Sequence, residues 1–179
     1  MKTDLEKMKK NCYISSVILN VLRIVTILSF VAVVIGGILS ASFRHKLNMA
    51  YANGKFPLPV NFNVSCGVVS FNIKEVAENH NGDIALALGV ASMLIAISLL
   101  LFFVVLNLFI RILKEIQTED SPFTAGVIKT LRTTFIALSV LLFTLFGITY
   151  VAIGTFLFTI LYTIFVYGYE LQIQADETL

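Results

Sequence analysis

Charge is scarce in this chain. Of 179 residues, 13 are lysine or arginine and 11 aspartate or glutamate, or 13% in total, against about a quarter in ordinary soluble domains. Hydrophobic residues make up 58% and the mean hydropathy is +0.90. A water-soluble fold has no means of hiding that much apolar surface, so water is excluded as the main solvent. The net charge of +2, with basic residues scattered along the chain, also excludes a basic nucleic-acid-binding surface. Cysteine is nearly absent too. Cys12 lies in a basic amino-terminal segment and Cys66 in a loop beyond the first apolar run, so a disulfide between them is not expected, and two lone thiols give no metal-ligand spacing.

Catalytic patterns are missing as well. There is no G-x-x-x-x-G-K-[ST] loop, no H-E-x-x-H helix, no G-x-S-x-G elbow and no C-x-x-C pair. The reading is a non-enzyme with no cofactor and no metal. His45 and His80 stand far apart in the chain, as loop-surface residues do. Asn63-Val64-Ser65 matches a glycosylation sequon, a triplet that arises often by chance.

What the chain does have is long uncharged runs, at 24–43, 84–110 and 133–169. In lipid the backbone must satisfy its own hydrogen bonds, which makes such runs helices. The first two suit one crossing each, since a span takes about 20 residues. The third would form a helix of about 55 Å against a hydrocarbon core of about 30 Å. We read it as a tight helical hairpin bending among Gly147, Thr149, Tyr150 and Gly154; the rival is one long tilted helix. The expected fold is an all-α membrane protein, a four-helix transmembrane bundle with spans near 17–43, 84–112, 124–148 and 151–172. The first span has the basic start and small-residue Ser40-Ala41-Ser42 site of a signal peptide, but its apolar run exceeds the usual h-region of about 7 to 15 residues.

Basic residues resist export. Nine of them, Lys2, Lys7, Lys9, Lys10, Arg23, Arg111, Lys114, Lys129 and Arg132, fall before the first span or between the second and third, and four, Arg44, Lys46, Lys55 and Lys74, in the first loop. That balance predicts both termini in the cytoplasm. Arg23, aligned with Ser16 and Asn20 at helical spacing, reads either as a functional intramembrane charge or as an anchor that snorkels to the headgroups; the uncharged residues that follow it favour the anchor. Asn107, the most polar residue deep in a span, reads as a helix-to-helix hydrogen bond.

The loop 44–83 is the one substantial polar excursion. Val60, Phe62, Val64 and Cys66 alternate with Asn61, Asn63 and Ser65, and Val69, Phe71 and Ile73 with Ser70 and Asn72. That period of two predicts a small extracellular β-hairpin over 58–74, turning near Cys66 and Gly67, with Pro57 and Pro59 in an entry segment. Past the second span the helix should continue by a turn or two, and Ser121 followed by Pro122 predicts a capped third helix beginning at Pro122.

The candidate partner-docking residues lie on this inner face: Arg111, Lys114, Glu115, Glu119, Asp120, Pro122, Phe123, Lys129 and Arg132 around the helical turn, and Glu170, Gln172, Asp176 and Glu177 in the tail. A mixed-charge surface can dock a protein through complementary potentials, and it can equally be a solvated membrane edge.

Two stretches resemble an uncharacterised bacterial family of about four spans. One runs from Ile112-Leu113-Lys114-Glu115-Ile116 into Ser121-Pro122-Phe123-Thr124 and Leu131-Arg132. The other is Tyr167-Gly168-Tyr169-Glu170-Leu171-Gln172 followed by Asp176-Glu177-Thr178-Leu179. They are similar to the family's S-P-F and G-x-x-L-Q...D-x-T-[LV] signatures, while the first half matches in outline alone and the connection between the last two spans is shorter than in many members. The resemblance implies a bacterial inner-membrane protein, often encoded beside a small Cro-type helix-turn-helix regulator, and no catalytic residues. The expected function is a regulatory or sensory membrane partner of such a regulator, with the outer hairpin sensing the envelope or a ligand. The alternative is an immunity or accessory membrane protein, related to a bacteriocin or a transporter. The partners expected are the lipid bilayer and a small cytoplasmic helix-turn-helix protein, with self-association left open.

Overall fold

The computed structural model describes residues 2–55, 63–66, 69–118 and 122–177. Its elements in chain order are α1 (Lys2–Ser42), α2 (Arg44–Ala52), β1 (Asn63–Cys66), β2 (Val69–Asn72), α3 (Ile73–Asn79), α4 (Ile84–Thr118), α5 (Ala125–Phe146) and α6 (Ile148–Glu177). Four of these helices, α1, α4, α5 and α6, are long and apolar enough to cross a membrane. The chain is an all-α multi-pass membrane protein with a small two-stranded hairpin.

The long helices pack in chain order, α1 on α4, α4 on α5, and α5 on α6. Their polarity alternates. Arg23 meets Asn107, Glu115 meets Thr130, and Phe135 stacks on Phe158, so both termini of the described chain lie at one end and the β-hairpin at the other. Small residues set the closest approach. A Cβ on Gly37 would stand 2.5 Å from Ser92 Oγ, which lets α1 and α4 run backbone against backbone. Hydroxyls along the interfaces bond within their own helices, Ser40 to the Gly37 carbonyl, Ser92 to that of Gly89 and Thr134 to that of Thr130, so they enter an apolar interior already satisfied.

α1, at 41 residues, is about 62 Å long and α4, at 35, about 53 Å. Both exceed the hydrocarbon core of about 30 Å. The amino-terminal segment therefore continues the first span as one helix, and Met8 and Cys12 pack on the inner cluster of Ile112, Ile116, Val127 and Leu131. α5 has 22 residues. It is shorter than α4 by about 20 Å, and β1 packs against both helices at the step.

The third apolar run does fold back, which overturns the single-long-helix reading. The bend is sharper than the sequence suggests: Gly147 alone separates α5 from α6, and Thr149, Tyr150 and Gly154 are already helical. Gly147 has φ 83 and ψ −175, a conformation open in practice to glycine alone. One such residue reverses the chain because it ends the first helix without starting a loop.

The expected helix start at Pro122 is wrong by one turn's worth of residues. Thr124 is the N-cap, with extended φ −108 and ψ 155, and its hydroxyl accepts from the Val127 amide at 3.3 Å; Pro122 and Phe123 precede the helix. Thr124 competes successfully because its side chain meets the third amide of the helix. Ser121 lies outside the described residues.

The hairpin is antiparallel, pairing Asn63 with Asn72, Val64 with Phe71, Ser65 with Ser70 and Cys66 with Val69. That register leaves Gly67 and Val68 between the strands; they, together with Pro57, Pro59, Val60 and Phe62, lie outside the described residues. Ile73 is not the end of the second strand. Asn72 accepts from the Lys74 amide through its side chain and caps α3, which carries Ile73 and Ala77 into a cluster with Val64, Ile84, Ala87 and Ala91. Side-chain capping wins over strand alternation at that point.

Replacing Gly147 with valine should destabilise the protein by about 1–3 kcal/mol, the usual range for a forced backbone of this kind. Thermal unfolding in detergent followed by circular dichroism measures it; an unchanged midpoint would show that the α5–α6 bend does not depend on glycine.

Candidate functional site

Two regions concentrate polar side chains, one at each end of the bundle. At the hairpin end, Asp83 is the N-cap of α4 and is buried, at 6% exposure. Its Oδ1 accepts from the Leu86 amide at 3.1 Å and from Asn48 Nδ2 at 3.0 Å, and its Oδ2 pairs with Arg44. Asn48 in turn accepts from the Ala85 amide at 3.2 Å. α2 is thereby tied to the start of α4 by two side chains that together satisfy two of its orphan amides. Burial pushes the Asp83 carboxyl up, but the hydrogen bonds from Asn48, Arg44 and the Leu86 amide, with the Arg44 charge, outweigh it and hold the group below its ordinary value. Lys74 also pairs locally, with Glu78 at 3.7 Å. Asp83, Asn48 and Arg44 thus serve the fold. His45 and His80 are exposed, His80 Nδ1 lying 3.0 Å from the Val76 carbonyl, and no metal-binding cluster occurs among the described residues.

At the other end the docking candidates separate into distinct environments. Arg111 Nε donates to Glu115 Oε1 at 3.1 Å, and the Thr130 hydroxyl reaches the same oxygen at 3.2 Å. Glu115 is only 26% exposed, and its Oε2 is buried without a protein hydrogen bond, as is Gln117 Nε2. A cavity of about 140 Å³ between α4 and α5 is lined by Arg111, Glu115, Gly126, Lys129 and Thr130, among others. Lys129 is exposed at its lining, and Lys114 is exposed on α4 outside it. Arg132, one turn along α5 from Lys129, lines the groove between α5 and α6.

Pro122 and Phe123 are half-buried, and Phe123 is engaged within the protein. Its ring packs edge-on to Phe165 at 5.5 Å and lies over Gly168, where an added Cβ would come within 2.6 Å of it. The two sequence stretches singled out in the second half of the chain thus meet in space: the Pro122-Phe123 segment locks onto the Tyr167-Gly168-Tyr169 turn of α6. In the tail, Glu170 and Glu177 are exposed and Gln172 half-buried. Glu119 and Asp120, and the side chain of Asp176, lie outside the described residues.

Comparison with known proteins adds no name: no family model, no curated protein and no solved structure matches this chain.

Sequence reasoning missed the Arg44–Asn48–Asp83 network and the clasp of Phe123 on Gly168. Asp83 directly before an apolar helical run is an N-cap signal and was available. Asn48, 35 positions away, gave none.

Between helix α1 and α4, Arg23 Nη1 donates to Asn107 Oδ1 at 3.3 Å, while Asn107 Nδ2 donates to the Phe103 carbonyl at 2.8 Å. About 29 Å of helix separates Arg23 from the hairpin-side end of α1 at Ser42. The arginine therefore stands at the edge of a hydrocarbon core of about 30 Å, with its head held by a neighbouring helix.

Two outcomes follow from these contacts. Asp83→Ala should cost about 1–2 kcal/mol through the lost cap. Because the folded carboxyl titrates below its unfolded value, its contribution is present above the ordinary carboxylate range and fades as pH falls through the folded value; melting curves from pH 7 to pH 3 should lose that acid-sensitive component in the variant, and an identical acid profile would rule the network out as its source. Gly168→Ala should destabilise by about 1–3 kcal/mol by displacing the Phe123 ring, and Phe123→Ala should relieve much of that in a double-mutant cycle. Strict additivity would refute the clasp.

Proposed function

We propose that this chain is a membrane-resident partner of a small cytoplasmic protein, which docks at the end of the bundle that carries both termini. The observation behind this reading is Lys129, exposed and lining the cavity between α4 and α5, with Lys114 exposed on α4, a helix longer than a bilayer core is thick. Arg111 is held in place by Glu115, so the local charge is fixed in position before anything binds. Exposed lysines on α4 and α5 and exposed Glu170 and Glu177 on α6, all at the same end of the bundle, offer charges of both signs to a partner of mixed charge.

The orientation that puts this end in the cytoplasm rests on the nine-to-four distribution of basic residues. The identity of the partner rests on the resemblance of the Ser121-Pro122-Phe123-Thr124 and Gly168 to Gln172 stretches to a bacterial inner-membrane family often encoded beside a Cro-type helix-turn-helix regulator. Phe123 and Gly168 contribute to docking indirectly, by setting where α5 begins relative to α6.

The experiment is co-purification of the regulator encoded beside the chain, from membranes solubilised in mild detergent. Reversing both charges, Lys114→Glu with Lys129→Glu, should reduce recovery at least several-fold while leaving the melting temperature unchanged, and raised salt should weaken the native complex in the same direction. Recovery indifferent to both treatments would defeat the proposal.

A further inference from the structure

Arg132 is the exception among the basic residues of the inner end. It is exposed, it makes no ion pair or hydrogen bond with any described residue, and it stands at the mouth of a groove of about 650 Å³ between α5 and α6. Below it the α5 wall is mainly apolar, with Phe135, Ile136 and Val140 and one hydroxyl, Ser139, while α6 contributes Phe158 between Thr155 and Thr159; Tyr162 also lines the groove. The stacked rings of Phe135 and Phe158, 4.6 Å apart, bridge the two helices within this groove.

The groove is built in, not a chance gap in loose packing. Gly154 accepts Leu142 so closely that a Cβ there would fall 2.7 Å from its methyl, and Gly168 accepts the Phe123 ring in the same way. These clamps hold α5 and α6 together on either side of the groove, and larger residues between them keep the helices apart. The depth also fits. Since Glu115 meets Thr130, Arg111 and Arg132 stand at nearly one level of the antiparallel pair, about one turn outside the Arg23–Asn107 contact. That is the headgroup level of a bilayer whose edge Arg23 marks, with Tyr162 in the position an interfacial tyrosine takes.

We propose that an anionic phospholipid is bound here, its phosphate on the Arg132 guanidinium and one acyl chain lying along Phe135, Ile136 and Val140. An arginine presents a planar fork of donors that matches a phosphate, and basic pockets between transmembrane helices on the cytoplasmic side are recognised headgroup sites. Charge complementarity selects the acidic headgroup and the apolar wall selects a lipid over a free anion. The groove opens between α5 and α6 and the Lys129 cavity between α4 and α5, with Lys129 one turn of α5 away from Arg132.

The test uses the full chain in nanodiscs of mixed phosphatidylglycerol and phosphatidylcholine, with the lipid retained on release into mild detergent counted by native mass spectrometry. Native protein should retain the anionic lipid about fivefold over its share of the bilayer, the factor expected for one cation at an anionic surface. Arg132→Gln should bring that ratio to parity, Arg132→Lys should keep part of it, and Ile136→Trp, which fills the groove and leaves the arginine in place, should lower retention of either lipid. Lys114→Gln is the charge control and should change nothing. The proposal fails if Arg132→Gln keeps the preference, if Lys114→Gln abolishes it equally, if Ile136→Trp retains lipid as the native protein does, or if inorganic phosphate displaces the lipid.

Discussion

Lipid offers no hydrogen bonds to a peptide group, and the architecture of this protein follows from that one deficiency. Each unsatisfied amide or carbonyl in hydrocarbon costs several kcal/mol. The chain therefore runs as long helices and keeps the irregular backbone between α5 and α6 to a single residue. The bend at Gly147 is the sharpest case. A conventional loop would expose several unpaired groups close to the apolar layer, whereas one glycine in a conformation closed to other residues reverses the direction with almost no free backbone.

The same solvent removes the ordinary driving force for packing, because an apolar side chain gains little by leaving lipid for protein. The helices are held instead by close fit and by a few polar contacts. Glycines recur where two helices press closest, Gly37 against Ser92, Gly154 against Leu142 and Gly168 against Phe123. The Arg23–Asn107 bond adds one directional contact near the membrane edge. Hydroxyls of Thr26, Ser40, Ser92 and Thr134 are each satisfied by a carbonyl one turn earlier in their own helix, so they permit close approach without leaving a buried group unpaired.

This division explains what could be read in advance. Helix number, the fold-back of the third apolar run and the existence of a β-hairpin are written in hydropathy and period, which act along the chain. The start of α5 at Ala125 and the capture of Ile73 by α3 depend on which of several polar side chains reaches an amide first, a contest between Ser121, Pro122 and Thr124 or between strand and cap that composition leaves undecided. The network of Arg44, Asn48 and Asp83 and the clasp of Phe123 on Gly168 join residues dozens of positions apart. Nothing local in Asn48 or Gly168 announces its partner. For the docking candidates the sequence placed Arg111, Lys114, Lys129 and Arg132 at one end, yet it could not tell that Lys129 lines a cavity against α4 and Arg132 a groove against α6.

The two ends of the bundle differ in how the charges described at each are answered. At the hairpin end the buried carboxylate of Asp83 is saturated by α2 and α4, and Lys74 is answered by Glu78. Those charges fix the polar loop to the helices, and their contribution is spent within the fold. At the end bearing the termini, Glu115 pairs with Arg111, while Lys114, Lys129 and Arg132 are exposed with no counterion among the described residues. An exposed cation on a helix keeps its interaction capacity for something outside the chain. Lys129 lines a small cavity between α4 and α5 and Arg132 a groove between α5 and α6, so the same formal charge stands in two surroundings, and the protein and lipid partners we propose follow from that difference.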